Sequence, residues 1–155
     1  MAIDQDGWFV DTFVKALADD IALDLGDTTP GAFKGALFTD DVTPDFDQED
    51  PAYGTAPWDA GEASGTGYTA GGADLTVTGW GQLSDVTKVG WSFDPVLWAD
   101  STISASGLLV YAPGLSGRCV ILRAFGQTYT TEAGDFEITF DSEGGAWRNT
   151  LRNTP

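Results

Sequence analysis

The sequence predicts a mainly β, single-domain protein: an antiparallel β-sandwich or barrel with one N-terminal amphipathic helix and a long ordered loop. Three observations carry this. Short apolar or alternating segments recur between Phe33 and Asp141, separated by Gly, Pro and Asp turn signals. Helical spacing of apolar residues appears once, near the N-terminus. One interval, residues 40–72, is far longer than an ordinary connection between strands. With 155 residues, 42% of them hydrophobic and 12% aromatic, the chain can bury a single core and is too apolar to stay disordered. The organisation expected is one domain over 1–155, with a helix at 8–25, a β-rich body at 32–141 and a polar C-terminal tail at 142–155.

The helix is expected to carry Val10, Phe13, Val14, Leu17 and Ile21 as one stripe at i, i+3, i+4, i+7 spacing, packed on the sheet or docked on another subunit. Asp4 or Asp6 would cap its start, and Gly26 with Pro30 beyond would end it. Strands are expected at Phe33–Thr39, at Ala73–Gly81, and at Lys88–Phe93 with Val89, Trp91 and Phe93 on one face. Ile103–Tyr111 alternates, Pro113-Gly114 turns, and the near-continuous apolar run Arg118–Phe125 reads as a central strand. Gly126-Gln127 would bend it into Thr128–Thr131, and Asp135–Asp141 alternates Phe136, Ile138 and Phe140 against Glu137 and Thr139. No solenoid or propeller repeat is present.

Charge excludes several function classes. Seven Lys and Arg against twenty-four acids give a net charge of −17. Such a surface repels phosphate backbones and anionic lipid, so neither nucleic acid nor membrane is an expected partner. No segment approaches the length of a transmembrane helix, and the N-terminus carries acids where a secretion signal carries basic residues, so synthesis in a cytoplasm without export by this route is expected. The lone Cys119 lies in an apolar strand and reads as a small buried hydrophobe.

Chemistry is narrowed in the same way. The chain has no histidine, which excludes Ser-His-Asp and Cys-His catalysis and Cys/His zinc sites. The glycine cluster Gly65–Gly72 lacks the Lys-Ser/Thr of a phosphate loop and reads as a tight corner. Glu137, Asp141 and Glu143 near Trp147 are the one acidic group placed where a glycosidase pair could lie. Asp40, Asp41, Asp45, Asp47, Glu49 and Asp50 offer hard oxygen ligands, yet counting from Asp45 the EF-hand spacing fails, because Ala56 stands at the twelfth position. No catalytic residue, cofactor or metal is therefore assigned, and an enzyme is not expected. The loop aromatics Phe46, Tyr53, Trp58 and Tyr68 remain, more than a solvated linker needs. They are the candidate partner interface, with Trp58 as its exposed anchor.

Ala36–Thr39 leading to Val42–Asp47, the run Glu62–Gly72 before Leu75, the run Val96–Ala105 before Gly107–Tyr111, and the closing Phe136–Phe140 resemble a pattern seen in small tailed-bacteriophage virion proteins. The resemblance spans 32–141 and is most specific at Ser64–Gly72. It implies a non-enzymatic structural part of a particle. The leading expectation is a capsid decoration protein on the outer surface of the virion, bound to the major capsid protein and to itself as a homotrimer. A tail or connector protein with an acidic wall along a DNA channel, and a carbohydrate-binding or adhesion module, stand as alternatives.

Overall fold

The computed structural model describes residues 2–152. Strand β1 (Gly7–Trp8) and helix α1 (Val10–Leu17) precede β2 (Phe33–Phe38), and the long loop follows. Then come β3 (Ala73–Leu75), β4 (Val77–Gln82), β5 (Lys88–Phe93), β6 (Val96–Ser101) and β7 (Ser104–Ala112). A 3-10 turn at Pro113–Leu115 leads into β8 (Arg118–Thr130), β9 (Gly134–Ile138) and β10 (Trp147–Thr150). The fold is mainly β and antiparallel, and sandwich-like. Its sheets have the orders β1-β8-β7-β2-β3, β10-β5-β4 and β6-β9. Of the two architectures expected, the described residues form no closed barrel.

Strand pleating divides the core into two parts. On β2, Phe33 and Leu37 join Leu108, Val110 and Ala112 of β7 in a cluster that continues through Trp91, Phe93, Trp98 and Phe136 of the smaller sheets. The alternate residues, Ala36 and Phe38 of β2 with Leu109 and Tyr111 of β7, point the other way. There they meet Ile3, Phe9, Val42 and Trp58, which come from the N-terminal segment and the loop. The register of β7 against β8 shifts between Val110 and Tyr111. That bulge turns both Val120 and Ile121 toward the first cluster and leaves Cys119 and Leu122 in the second. The central sheet is thus buried on both faces, and Ala105–Ala112 of β7 are buried without interruption.

Several expectations are corrected in detail. The helix covers Val10–Leu17 only, and Gly7–Trp8 is a strand on the edge of β8. Asp19 adopts a left-handed conformation, with φ of 60°. The amides of Asp19 and Asp20 donate back to the carbonyls of Ala16 and Lys15, closing a Schellman stop well before Gly26. Neither Asp4 nor Asp6 caps the start: no side chain does, and Asp6 pairs with Arg123. Only part of the apolar stripe faces outward, since Phe13 is half-buried edge-on against Trp8 and Ile21 lies beyond the helix. Val10, Val14 and Leu17 are 52%, 57% and 75% exposed. The inward face holds Phe9 and Thr12, whose hydroxyl donates to the Cys119 carbonyl at 2.7 Å.

The run Ala73–Gly81 passes between sheets at Thr76. β8 runs to Thr130, and the bend expected at Gly126-Gln127 is a bulge within it: Gly126 has φ of 78°, and the register against β7 jumps from Gly107↔Ala124 to Ala105↔Tyr129. β6 was not expected as a strand of its own, and the tail holds β10, which pairs with β5 from Trp147↔Trp91 to Thr150↔Lys88. Residues 153–155 of the tail lie outside the described residues.

Candidate functional site

The loop is a layer, not an excursion into solvent. Its backbone is sewn to the central sheet at both sides. Thr39 and Ala63 amides donate to Gly61 and Leu37 carbonyls, Cys119 donates to Pro51, and Tyr53 donates to Gly117. Bridges Phe38↔Glu62 and Ala52↔Arg118 extend the sheet edges. These bonds satisfy backbone that would otherwise be buried unpaired.

Three of the four aromatic residues nominated for partner contact serve this layer. Trp58 is 1% exposed and packs edge-on against Phe38 at 5.0 Å and Phe9 at 5.8 Å. The expectation of an exposed Trp58 anchor is therefore corrected. An indole this large is worth more covering the Ala36–Phe38 face than standing in water. Phe46 stacks on Phe9 at 5.4 Å, and Tyr53 lies flat on Tyr111 at 4.5 Å. Tyr68 belongs to the other side of the sheet, near Trp98. The structure joins Phe46, Tyr53 and Trp58 in one cluster and sets Tyr68 apart from it.

Glu62 is the residue that ties these parts together, and sequence reasoning passed over it. Its carboxylate accepts from the hydroxyls of Tyr53 and Tyr68 and from the Gly71 amide, each at 2.7 Å. Tyr68 oxygen in turn accepts from the Leu37 amide at 2.9 Å, and Tyr111 donates to the Gly71 carbonyl at 2.8 Å. Burial, then hydrogen bonding to Glu62, pushes the Tyr53 and Tyr68 phenols well above their ordinary range. Burial and the Glu62 charge push Tyr111 up to about 12. The only signal in the sequence was a glutamate placed between tyrosines at 53 and 68 beside a glycine corner.

That corner is as tight as expected. A Cβ on Gly72 would stand 1.9 Å from the Gly35 carbonyl oxygen, and one on Gly65 2.0 Å from the Thr102 oxygen, both at positive φ. The run Gly65–Gly72 therefore brings the returning chain against the sheet and presents no phosphate cradle.

A second node fixes the middle of the loop. Asp50 receives Lys15 Nζ at 2.7 Å and the Arg118 guanidinium, while Asp11 receives Lys15 and Arg118, each at 3.0 Å. Hydrogen bonds from Lys15 and Arg118 hold Asp50 below the ordinary carboxylate range. Burial opposes ionisation of Asp11, but the Asp50 amide and Lys15 outweigh it and hold Asp11 low as well. Bonds to Asp50 and Asp11 raise Lys15.

The remaining acids of this stretch disperse. Asp40 accepts from the Ile3 amide, Asp41 from Thr39 and Asp45 from the Asp47 amide. Among the described residues no three His, Cys, Asp or Glu side chains converge as metal ligands.

The acids considered for glycoside chemistry separate too. Asp141, Glu143 and Trp147 line a cavity of about 560 Å³ with Asp6 and Arg123, whereas Glu137 lies on a different groove. Glu143 accepts from the Ser84 hydroxyl and amide, and Asp141 accepts from the Glu143 amide. Both carboxylates thus hold the loop before β10. Cys119 is buried, and burial raises its thiol far above ordinary reactivity.

What stays unpartnered is surface. Among the described residues it includes Val10, Val14 and Leu17 of α1, the exposed Val86, Leu97 and Leu151, and a groove beside β9. No helix of the described residues is long and apolar enough to cross a membrane. In comparisons with protein-family models, with curated proteins and with solved structures, nothing matches this chain.

Proposed function

We propose that this protein is a non-enzymatic assembly module: a capsid decoration protein that attaches, in trimers, to the outer surface of a tailed-phage head and contacts the major capsid protein. The observation that carries the docking element is the exposed stripe Val10, Val14 and Leu17 on α1. A helix presenting i, i+4 and i+7 apolar residues to water fits an apolar groove on a partner. Three further features support the reading. The polar clusters described above are consumed by internal structure. The charge of −17 suits a position outside the shell, away from packaged DNA. The resemblance over 32–141 points to virion structural proteins.

The test is co-sedimentation of the purified protein with empty capsid shells. Wild-type protein is expected to pellet with shells and to appear as density at three-fold positions on their outer face. Val14→Asp with Leu17→Asp is expected to abolish pelleting while circular dichroism stays unchanged, since both side chains already face water. Undiminished pelleting of the double variant, or density on tails and none on heads, would sink the proposal.

A further inference from the structure

The molecule has an open seam where its two layers part company. β6–β7 and β8–β9 form one long antiparallel ribbon, since Ser101 pairs with Gly134, Ser104 with Thr130, and the Thr131 amide donates to the Ile103 carbonyl. The ribbon folds over at 102–103 and 131–133, so β8 lies in the central sheet and β9 in the layer above it. Although only a short turn separates β8 from β9, the two strands do not pair. Among the described residues, β9 has a ladder on one side only, with β6. β8 beyond Leu122 likewise has a ladder with β7 alone.

Between these free edges lies a groove of about 340 Å³ walled by Phe125 and Tyr129 of β8 and by Phe136 and Ile138 of β9. Strand β9 presents Asp135 and Glu137 outward, both exposed, while Phe136 faces the core. Among the described residues no Lys or Arg lines the groove.

We propose that this seam receives one extended segment of another polypeptide as an added strand on the free edge of β9, with alternating apolar and basic residues. Unpaired strand edges supply main-chain donors and acceptors to an incoming strand. Period-two geometry then fixes its side chains: one set points into the groove against Phe125 and Tyr129, and the other lies beside Asp135 and Glu137. Carboxylates at those positions favour Lys or Arg opposite them and repel an acidic strand. The same charges repel the acidic segments of a second copy of this chain, whose net charge is −17. Acids on a short edge strand guard against self-pairing, but a guard alone does not need a groove walled by aromatic side chains beside it. This inference does not rest on the capsid reading, since the seam is built from strands remote in sequence from the α1 stripe.

The experiment uses the full chain and a fluorescein-labelled eight-residue peptide alternating Val and Lys. Two control peptides are used, one alternating Val and Glu and one in which two central Val are replaced by Pro. Anisotropy is expected to show saturable binding of the Val-Lys peptide alone, and hydrogen exchange to show new protection at 134–138. Glu137→Lys and Tyr129→Lys, both on exposed positions, are each expected to weaken binding at least tenfold without changing the melting temperature of the free protein. Equal binding of the Pro-containing peptide would show adsorption by charge alone and overturn the strand addition. Protection confined to other segments, no binding at all, or self-association relieved by Tyr129→Lys would overturn it as well.

Discussion

The two faces of the β2–β7–β8 sheet are covered by different means. One face is met by β4, β5, β6, β9 and β10, regular strands whose backbone bonds are mutual and whose contribution to the core is mostly area. The other is met by residues 39–63 together with Ile3 and Phe9, which lie outside the sheets apart from two isolated bridges. A regular layer satisfies its backbone by repetition. An irregular one must satisfy each group singly, and here it does so with Glu62, Asp50, Arg118 and a few backbone bonds to strand ends. The difference teaches where specific side chains matter more than apolar area.

The largest expected effect separates the two layers directly. Trp58→Ala and Trp91→Ala each remove an indole that is at most 1% exposed, and each should cost about 3–5 kcal/mol. Their consequences should differ in kind. Trp91 packs against Phe33 and Phe93 and donates to the Leu25 carbonyl at 2.8 Å, so its loss should lower protection throughout the sheets. Loss of Trp58 should open amides in 39–63 first and leave the β7–β8 ladder protected. Native-state hydrogen exchange measures this, and uniform loss of protection in both variants would break the distinction.

Glu62→Gln is the next probe. The amide keeps the shape but has one acceptor oxygen in place of two, so the donors of Tyr53, Tyr68 and Gly71 lose one of the two oxygens that receive them. A cost of about 1–3 kcal/mol is expected in urea unfolding, larger than for an exposed glutamate such as Glu137. If Glu62→Gln and Glu137→Gln unfold alike, the carboxylate does not hold the layer.

Alkaline pH reads the same node without mutation. Tyr53 and Tyr68 have folded-state phenols raised above the ordinary value of 10.0, and Tyr111 is raised to about 12. The unfolded chain releases these protons near pH 10 while the folded chain retains them. Stability is therefore full below about pH 10 and falls as pH rises beyond it. The melting temperature should drop above that pH, and Tyr68→Phe should flatten the drop. An unchanged slope in Tyr68→Phe would remove Tyr68 from the linkage.

The contrast between layers also explains what could be read from the sequence. The apolar strands Phe33–Phe38 and Lys88–Phe93 and the alternating strand Gly134–Ile138 lie within a few residues of their expected bounds. Their pattern reports burial directly. β10 was hidden because Arg148, Asn149 and Thr150 are polar on an edge, where only pairing with β5 makes a strand. The α1 stripe was legible as a pattern, but its direction was not. Thr12 and Phe9 reach inward through contacts with Cys119 and Trp58, residues far along the chain. The loop aromatics were recognised as meaningful and given the wrong neighbours, since nothing local distinguishes an aromatic awaiting a partner from one covering its own sheet. Glu62 was invisible for the same reason: its three donors meet only once Gly71 and Gly72 have turned the chain back.

The smallest effect tests whether charge, as well as packing, holds the irregular layer. Asp50 is exposed, yet it meets Lys15 and Arg118 together, and its backbone φ of 49° places it in the left-handed region, which asparagine tolerates as well as aspartate. Asp50→Asn therefore keeps the backbone and removes the charge. Exposed ion pairs contribute little and are screened by salt, so its melting temperature should fall by less than that of Glu62→Gln. The gap from wild type should narrow further at high salt. The sign with pH follows from the lowered carboxyls of Asp11 and Asp50. Their contribution is present above the ordinary carboxyl value of 3.8 and is lost as pH falls below it. Wild type and Asp50→Asn should thus converge in acid. A gap that persists at low pH and high salt would mean that Asp50 acts through its backbone geometry, and that the loop layer is fixed by Trp58 and Glu62 with no electrostatic share.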